Sequence, residues 1–86
     1  MIIKFHKSFT KNFISLRKKE RDRFYEKLEI FEDDPYFVLL NNHPLHGKYE
    51  GYRSISIGGD LRAIYKKISF EGVIFVKIGT HNKLYK

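Results

Sequence analysis

Eighty-six residues leave room for one domain, expected to span 1–86, and not for a second. The absence of cysteine excludes disulfides and cysteine-based metal sites, and makes a reducing cytoplasm the expected compartment. No apolar run is long enough for a signal peptide or a membrane span, and the net charge of +7 points to phosphate backbones or acidic proteins as partners.

The charge is unevenly placed. Residues 1–23 carry eight Lys or Arg against two acids; residues 24–34 carry five acids and one Lys; from 35 onward there are eight basic and three acidic residues. A short acidic segment therefore interrupts a basic protein. A chain this short buries only about 60% of its unfolded surface. Its eight Phe and six Tyr matter for that reason, because each ring buries a large area.

Residues 2–5, Ile-Ile-Lys-Phe, read as a short strand. Ser8 is placed to cap a first helix, in which Phe9, Phe13 and Leu16 recur at helical spacing. The run Arg17-Lys18-Lys19 suits the negative end of that helix's dipole. A second helix fits 20–33, with Phe24, Leu28 and Phe31 on one stripe, and ends at Asp34-Pro35, because a residue before proline avoids the helical region. Both stripes read as core. Residues 35–49 are irregular and hold both prolines, Asn41-Asn42, His43 and His46.

From there the period becomes two. Strands are expected at 52–57, 61–67 and 73–78, with Gly58-Gly59-Asp60 as the first turn. A three-residue turn over 58–60 sets Ile57 opposite Leu61 and Ser56 opposite Arg62, which separates apolar from polar residues; a slip of one residue would destroy that separation. The core face then holds Ile55, Ile57, Leu61, Ala63 and Tyr65, while Tyr52, Ser54, Ser56, Arg62 and Lys66 line an exposed face, with Asp60 at the turn. In the last strand Ile74, Val76 and Ile78 are assigned to the core face and Phe75 and Lys77 to the polar one. The expected fold is α+β: a small antiparallel sheet packed on two N-terminal helices, its other face open, basic and aromatic. Such a face suits RNA, with cations on phosphates and rings on bases, and suits a protein partner equally. The candidate RNA-binding residues are Lys48, Tyr49, Arg53, Ser56, Lys66 and Lys77.

Four residues carry possible chemistry: His43 before the sheet, Asp60 in the hairpin, Arg62 after it and His81 after the last strand. RNA cleavage by internal attack needs one group to take the 2′-hydroxyl proton, one to protonate the leaving 5′-oxygen and a cation for the charged phosphorane. Two histidines, an Asp and an Arg supply these without metal or other cofactor. His43-x-x-His46 lacks the helical i, i+4 spacing of a zinc-binding histidine pair, and Pro44 and Gly47 oppose a helix there. Gly58-Gly59 is too short for a phosphate-cradling loop and precedes a strand.

The stretch His43-Pro44-Leu45-His46-Gly47-Lys48-Tyr49-Glu50-Gly51-Tyr52-Arg53 resembles the YafQ-type pattern His-Pro-Leu-x-Gly-x-aromatic-x-Gly-Tyr-Arg of the RelE toxin superfamily. Asp60, Ala63-Ile64-Tyr65-Lys66, Gly79-Thr80-His81 and Tyr85 continue the resemblance, and Lys7-Ser8-Phe9 with Lys11 and Phe13 resembles the family's first helix. The resemblance implies a toxin of a type II toxin–antitoxin module that cleaves mRNA, typically on the ribosome, and is blocked by a cognate antitoxin. By position, His43, Asp60, His81 and Tyr85 match YafQ-type catalytic residues, and Arg62 matches the phosphate-binding Arg of the RelE and YoeB branches. His43 or Asp60 is then the base and His81 the acid; Arg62 with Lys48 or Lys66 holds phosphate, and Tyr49 or Tyr85 stacks on or orients a base. Ser56 stands where YafQ-type toxins carry a second catalytic His, so that role moves or is lost. The alternative is a non-catalytic member of the fold that binds an antitoxin or nucleic acid.

Overall fold

The structure, a computed structural model, describes residues 1–85. In chain order the main elements are β1 (Ile2–Phe5), α1 (Lys7–Ile14), α2 (Lys18–Asp33), β2 (His43–Pro44), β3 (Arg53–Gly58), β4 (Leu61–Lys67), β5 (Gly72–Thr80) and α3 (His81–Leu84); short 3-10 turns lie at Val38–Leu40 and Gly47–Tyr49. The sheet order is β1-β5-β4-β3-β2. No helix among the described residues is long and apolar enough to cross a membrane.

The two N-terminal helices form as their stripes require and cover one face of the sheet. Phe9 from α1 and Phe24 and Phe31 from α2 are buried against Ile55, Ile57, Leu61, Ala63, Tyr65, Val73, Phe75 and Ile78, with Phe13, Leu16 and Leu28 packed around them. Ring centroids of Phe31–Tyr65 and Phe31–Phe75 lie 5.0 and 5.4 Å apart in edge-on geometry, an arrangement that adds to the area term. Ser8 is not the cap. His6 caps α1 by accepting from the Ser8 N–H at 3.1 Å, and the Ser8 hydroxyl donates to the Val76 carbonyl at 2.6 Å, fastening α1 to β5. At the start of α2 the Glu20 carboxylate accepts the Arg17 N–H at 3.0 Å; that bond, with the Arg17 charge, holds its pKa below the usual value.

Three expectations about the sheet need correction. β1 pairs with β5 in parallel, so the sheet is mixed, with four antiparallel strands and one parallel edge. Ser56 does face Arg62, but Leu61 pairs with Gly58 and not with Ile57, because a bulge at Ile57 tightens the turn to Gly59-Asp60; both Ile57 and Leu61 remain buried. Gly59, at φ +54°, occupies the left-handed position such a turn demands. In β5 the pairing runs from Ile64–Lys77 directly to Tyr65–Phe75, leaving Val76 as an extra residue. This bulge reverses the parity. Val73 and Phe75 join the helix-side core and Val76 packs on the opposite face, contrary to the assignment of Ile74, Val76 and Phe75; Ile78 lies in the core as expected.

The opposite face is less open than its pattern suggests. Leu45, Ile64 and Leu84 form a second small core there, flanked by Tyr49, Tyr52 and Val76. The segment after β2 and the short α3 lie over this part of the sheet, since both carry a leucine that must leave water. Ser54, expected to be exposed, is consequently buried at 1% exposure.

Candidate active site

The uncovered part of that face is a cleft of about 290 Å³ lined by His43, His46, Ser54, Arg62, His81 and Tyr85, with Pro44 and Leu45. Its residues come from β2 and the two residues after it, β3, β4, and α3 with the residue after it, so four separate stretches of sequence converge on it.

His43 is placed by local backbone chemistry. Asn41 adopts a left-handed conformation at φ +46°, closing the preceding 3-10 turn. Its carbonyl accepts a 2.7 Å hydrogen bond from His43 Nδ1. A carbonyl can only accept, so Nδ1 carries the hydrogen and the neutral ring keeps its lone pair on Nε2. Asn42, the next residue, is held by Arg53, whose Nε donates to Asn42 Oδ1 at 2.7 Å, while Asn42 Nδ2 donates to the Tyr65 hydroxyl at 2.7 Å. Burial raises the Tyr65 pKa, so this hydroxyl stays protonated. Arg53 also lies over the Tyr36 ring, 5.3 Å from its centroid. It braces the segment before β2 and is not among the residues lining the cleft.

Arg62 projects from β4 beside Ser56. Its Nη1 donates to the carbonyls of Gly59 at 2.9 Å and Leu61 at 3.2 Å and reaches the Ser56 hydroxyl at 3.5 Å. All of these bonds use Nη1, so Nε and Nη2 keep their hydrogens for a ligand. Ser56 is half-buried beside the guanidinium.

His81 is the first residue of α3. Its N–H donates to the Asp60 carbonyl at 3.2 Å, which ties the helix to the β3–β4 hairpin, and Thr80 caps the helix through the Lys83 N–H at 3.4 Å. The His81 ring packs on Tyr85 one turn later, with centroids 4.7 Å apart. Tyr85 meets Tyr49 edge-on at 5.8 Å, and burial with the neighbouring tyrosines raises the Tyr49 pKa. Asp60 is exposed at the turn and is not among the residues lining the cleft; its carbonyl, not its carboxylate, makes the contact with α3.

The lysines divide. Lys66 stands exposed over the Tyr52 ring at 5.3 Å. Lys48, Tyr49 and Lys77 line a second groove of about 580 Å³ across α3 from the cleft, together with Lys83 and Glu20. Among the described residues no group of three or more His, Asp or Glu is placed to hold a metal ion.

The sequence therefore named His43, Arg62, His81 and Tyr85, and the structure brings these four together. The sequence raises His46 only as a metal ligand and places Ser54 on the face of Arg62, without naming either as a site residue. Pairing of Ser54 with His43 across β2 and β3 would have revealed the second, but β2 is two residues long and gives no periodic signal.

Comparison with known proteins finds the same fold. Crystal structures of YafQ from E. coli strain BL21(DE3) and of a YoeB/ParE toxin from Agrobacterium tumefaciens share the fold. The first has a TM-score of 0.82 at 22% identity, covering 98% of this chain and 97% of that one; the second has 0.76 at 18%, covering 94% and 99%. The E. coli DinJ–YafQ toxin–antitoxin complex matches at a TM-score of 0.75 and 25% identity, covering 98% and 96%. No curated protein sequence matches. The family model described as the bacterial toxin of the type II toxin–antitoxin system, YafQ, matches residues 1–86, and the chain belongs to that family.

Proposed function

We propose that this toxin is a metal-independent endoribonuclease that cleaves mRNA on the ribosome. The observation that carries the reading is the convergence of His43, Arg62 and His81 on one cleft. His43, with its lone pair on Nε2, takes the proton from the 2′-hydroxyl, and the 2′-oxygen attacks the adjacent phosphorus. Arg62 binds the phosphate through its remaining N–H groups and stabilises the charge that grows on the phosphorane. His81 in its protonated form gives its proton to the departing 5′-oxygen. The bond from phosphorus to that oxygen breaks, leaving a 2′,3′-cyclic phosphate and a free 5′-hydroxyl. Tyr85 fixes the His81 ring and offers a face for a base.

The choice between His43 and Asp60 as base falls to His43, because it lines the cleft and Asp60 does not. Asp60 then acts through its backbone, by anchoring α3. Lys48, Lys66 and Lys77 hold flanking phosphates. An acidic antitoxin is the proposed regulator: the net charge of +7 favours its approach, and a DinJ–YafQ complex exists for a matching structure.

Ser56 favours a second reading, that of a binding protein without catalysis. The hydroxyl beside Arg62 is no base near neutral pH. Incubating the purified protein with mRNA, with ribosomes in magnesium buffer and without ribosomes both with and without a chelator, separates the two. Cleavage unaffected by the chelator supports the nuclease. Binding without cleavage, on or off the ribosome, supports the second reading.

A further inference from the structure

The wall of the cleft contains a hydroxyl without a partner. Ser54 is 1% exposed, and its Oγ is buried with no hydrogen bond to any described atom. Native structures satisfy the great majority of buried polar side-chain atoms, because an unpaired one is destabilising. Its apolar cross-strand partner Ile64 would pack against an alanine as well as against a serine. Packing therefore gives no reason for the hydroxyl, and its position does.

Ser54 lies on β3 between β2 and β4, opposite His43 on one side and Ile64 on the other. Ile55 and Ile57 belong to the helix-side core, so Ser54, of opposite parity, faces the cleft, whose wall it forms with His43, Arg62 and His81. Residues directly opposed in an antiparallel pair share a face with Cβ atoms about 4.5–5.5 Å apart, and diagonal ones lie about 7–8 Å apart. Ser54 and His43 are thus cross-strand neighbours on the same face of the sheet. Arg62, which pairs with Ser56, is the diagonal neighbour of Ser54 on the same face. Ser54 occupies the ground between the base and the phosphate-binding cation.

We propose that Ser54 donates a hydrogen bond from Oγ to a non-bridging oxygen of the scissile phosphate. The proposal rests on the nuclease reading above and adds a catalytic residue to it. Rotation between staggered wells reorients Oγ within the wall, and the proposal requires one of those wells to present it to the substrate. The bond strengthens as negative charge builds on that oxygen in the phosphorane, so it favours the transition state over bound RNA. Ser54 touches the reacting group and moves no proton.

The test compares the parent, Ser54→Ala and Ser54→Cys on a ribosome-bound mRNA with one cleavage site. That site carries either an ordinary phosphate or one of the two phosphorothioate diastereomers. Ser54→Ala is expected to lower kcat by roughly 10- to 100-fold, the worth of one donor to a charged oxygen. Its thermal midpoint stays level or rises, since the atom removed has no partner. Sulfur accepts hydrogen bonds poorly, so one diastereomer slows the parent, and this effect shrinks in Ser54→Ala. Ser54→Cys keeps a weak donor of similar size and falls between the two; it carries the comparison if the alanine variant does not fold. Parental kcat in Ser54→Ala overturns the proposal, and so does a loss of activity that tracks a loss of stability with the sulfur effect unchanged. A parent that cleaves no RNA at all removes the nuclease reading, and this proposal with it.

Discussion

Truncating Leu84 is expected to disable the cleft without unfolding the protein. Leu84 is 5% exposed and belongs to a buried trio with Leu45 and Ile64, apart from the main core. The helix that carries it has four residues, far below the length at which a helix holds itself together in water. Among the ties that hold it to the rest of the protein are the 3.2 Å bond from the His81 N–H to the Asp60 carbonyl and the edge-on contact of Tyr85 with Tyr49. Leu84→Ala removes about 2–3 kcal/mol of burial. At 1.4 kcal/mol per tenfold change, the population with α3 undocked rises roughly 30- to 150-fold. His81 and Tyr85 leave the cleft with the helix, so cleavage falls towards that of a His81 variant. The main core of Phe24, Phe31 and Phe75 is untouched, and global stability drops by less than the local figure. Native-state hydrogen exchange read at the Tyr85 and His81 amides, beside the cleavage rate, is the assay. Faster exchange at those amides with slow exchange retained at β4 and β5 is the expected result. Loss of cleavage with no change in exchange at Tyr85, or equal loss of protection throughout the sheet, refutes the reasoning.

Other substitutions probe single roles. His81→Gln keeps the backbone bond to Asp60 and the helix, so folding by circular dichroism should match the parent while cleavage drops roughly 10²- to 10⁴-fold. Arg62→Ala should lower both affinity and turnover, kcat/KM by roughly tenfold or more, and reduce the slope of log affinity against log salt by about one ion, read by titration at several salt concentrations. Glu20→Ala should destabilise by roughly 0.5–1 kcal/mol at neutral pH in denaturant titrations. Because the folded pKa of Glu20 lies below its ordinary 4.5, the contribution is full above that value and disappears as pH falls through the lowered one. Parent and variant should converge in acid; a gap that persists there contradicts the carboxylate's part in the cap.

The helices and the hairpin were legible because their signals are periodic. Phe24, Leu28 and Phe31 mark one helical face, and the alternation through Ser56 and Arg62 gave the pairing that the sheet adopts there. The rest escaped for physical reasons. Alternation shows which residues share a face but not whether a strand runs parallel, so the direction of β1 was invisible. A single inserted residue at Val76 reverses parity without leaving a turn signal, and Phe75 was placed on the wrong face. Leu45 and Leu84 sit in segments too short for any period, so the second core was missed and Ser54 was read as exposed. His43, Arg62 and His81 stand out by their chemistry, Tyr85 by the motif's order and spacing, and all four line the cleft. Motif order does not say which atom of a residue works. Asp60 contributes its carbonyl to α3, and Arg53 its guanidinium to Asn42.

The central claim is internal attack by the 2′-oxygen, directed by His43, Arg62 and His81. It is tested most directly by the ends of the RNA fragments. The parent protein is given ribosomes carrying one mRNA with a normal ribose at the cleavage site and, separately, one with a single 2′-deoxyribose there. The account predicts a 2′,3′-cyclic phosphate and a 5′-hydroxyl from the first and no cut at that position in the second. A 5′-phosphate end, or a cut at the 2′-deoxyribose, contradicts it.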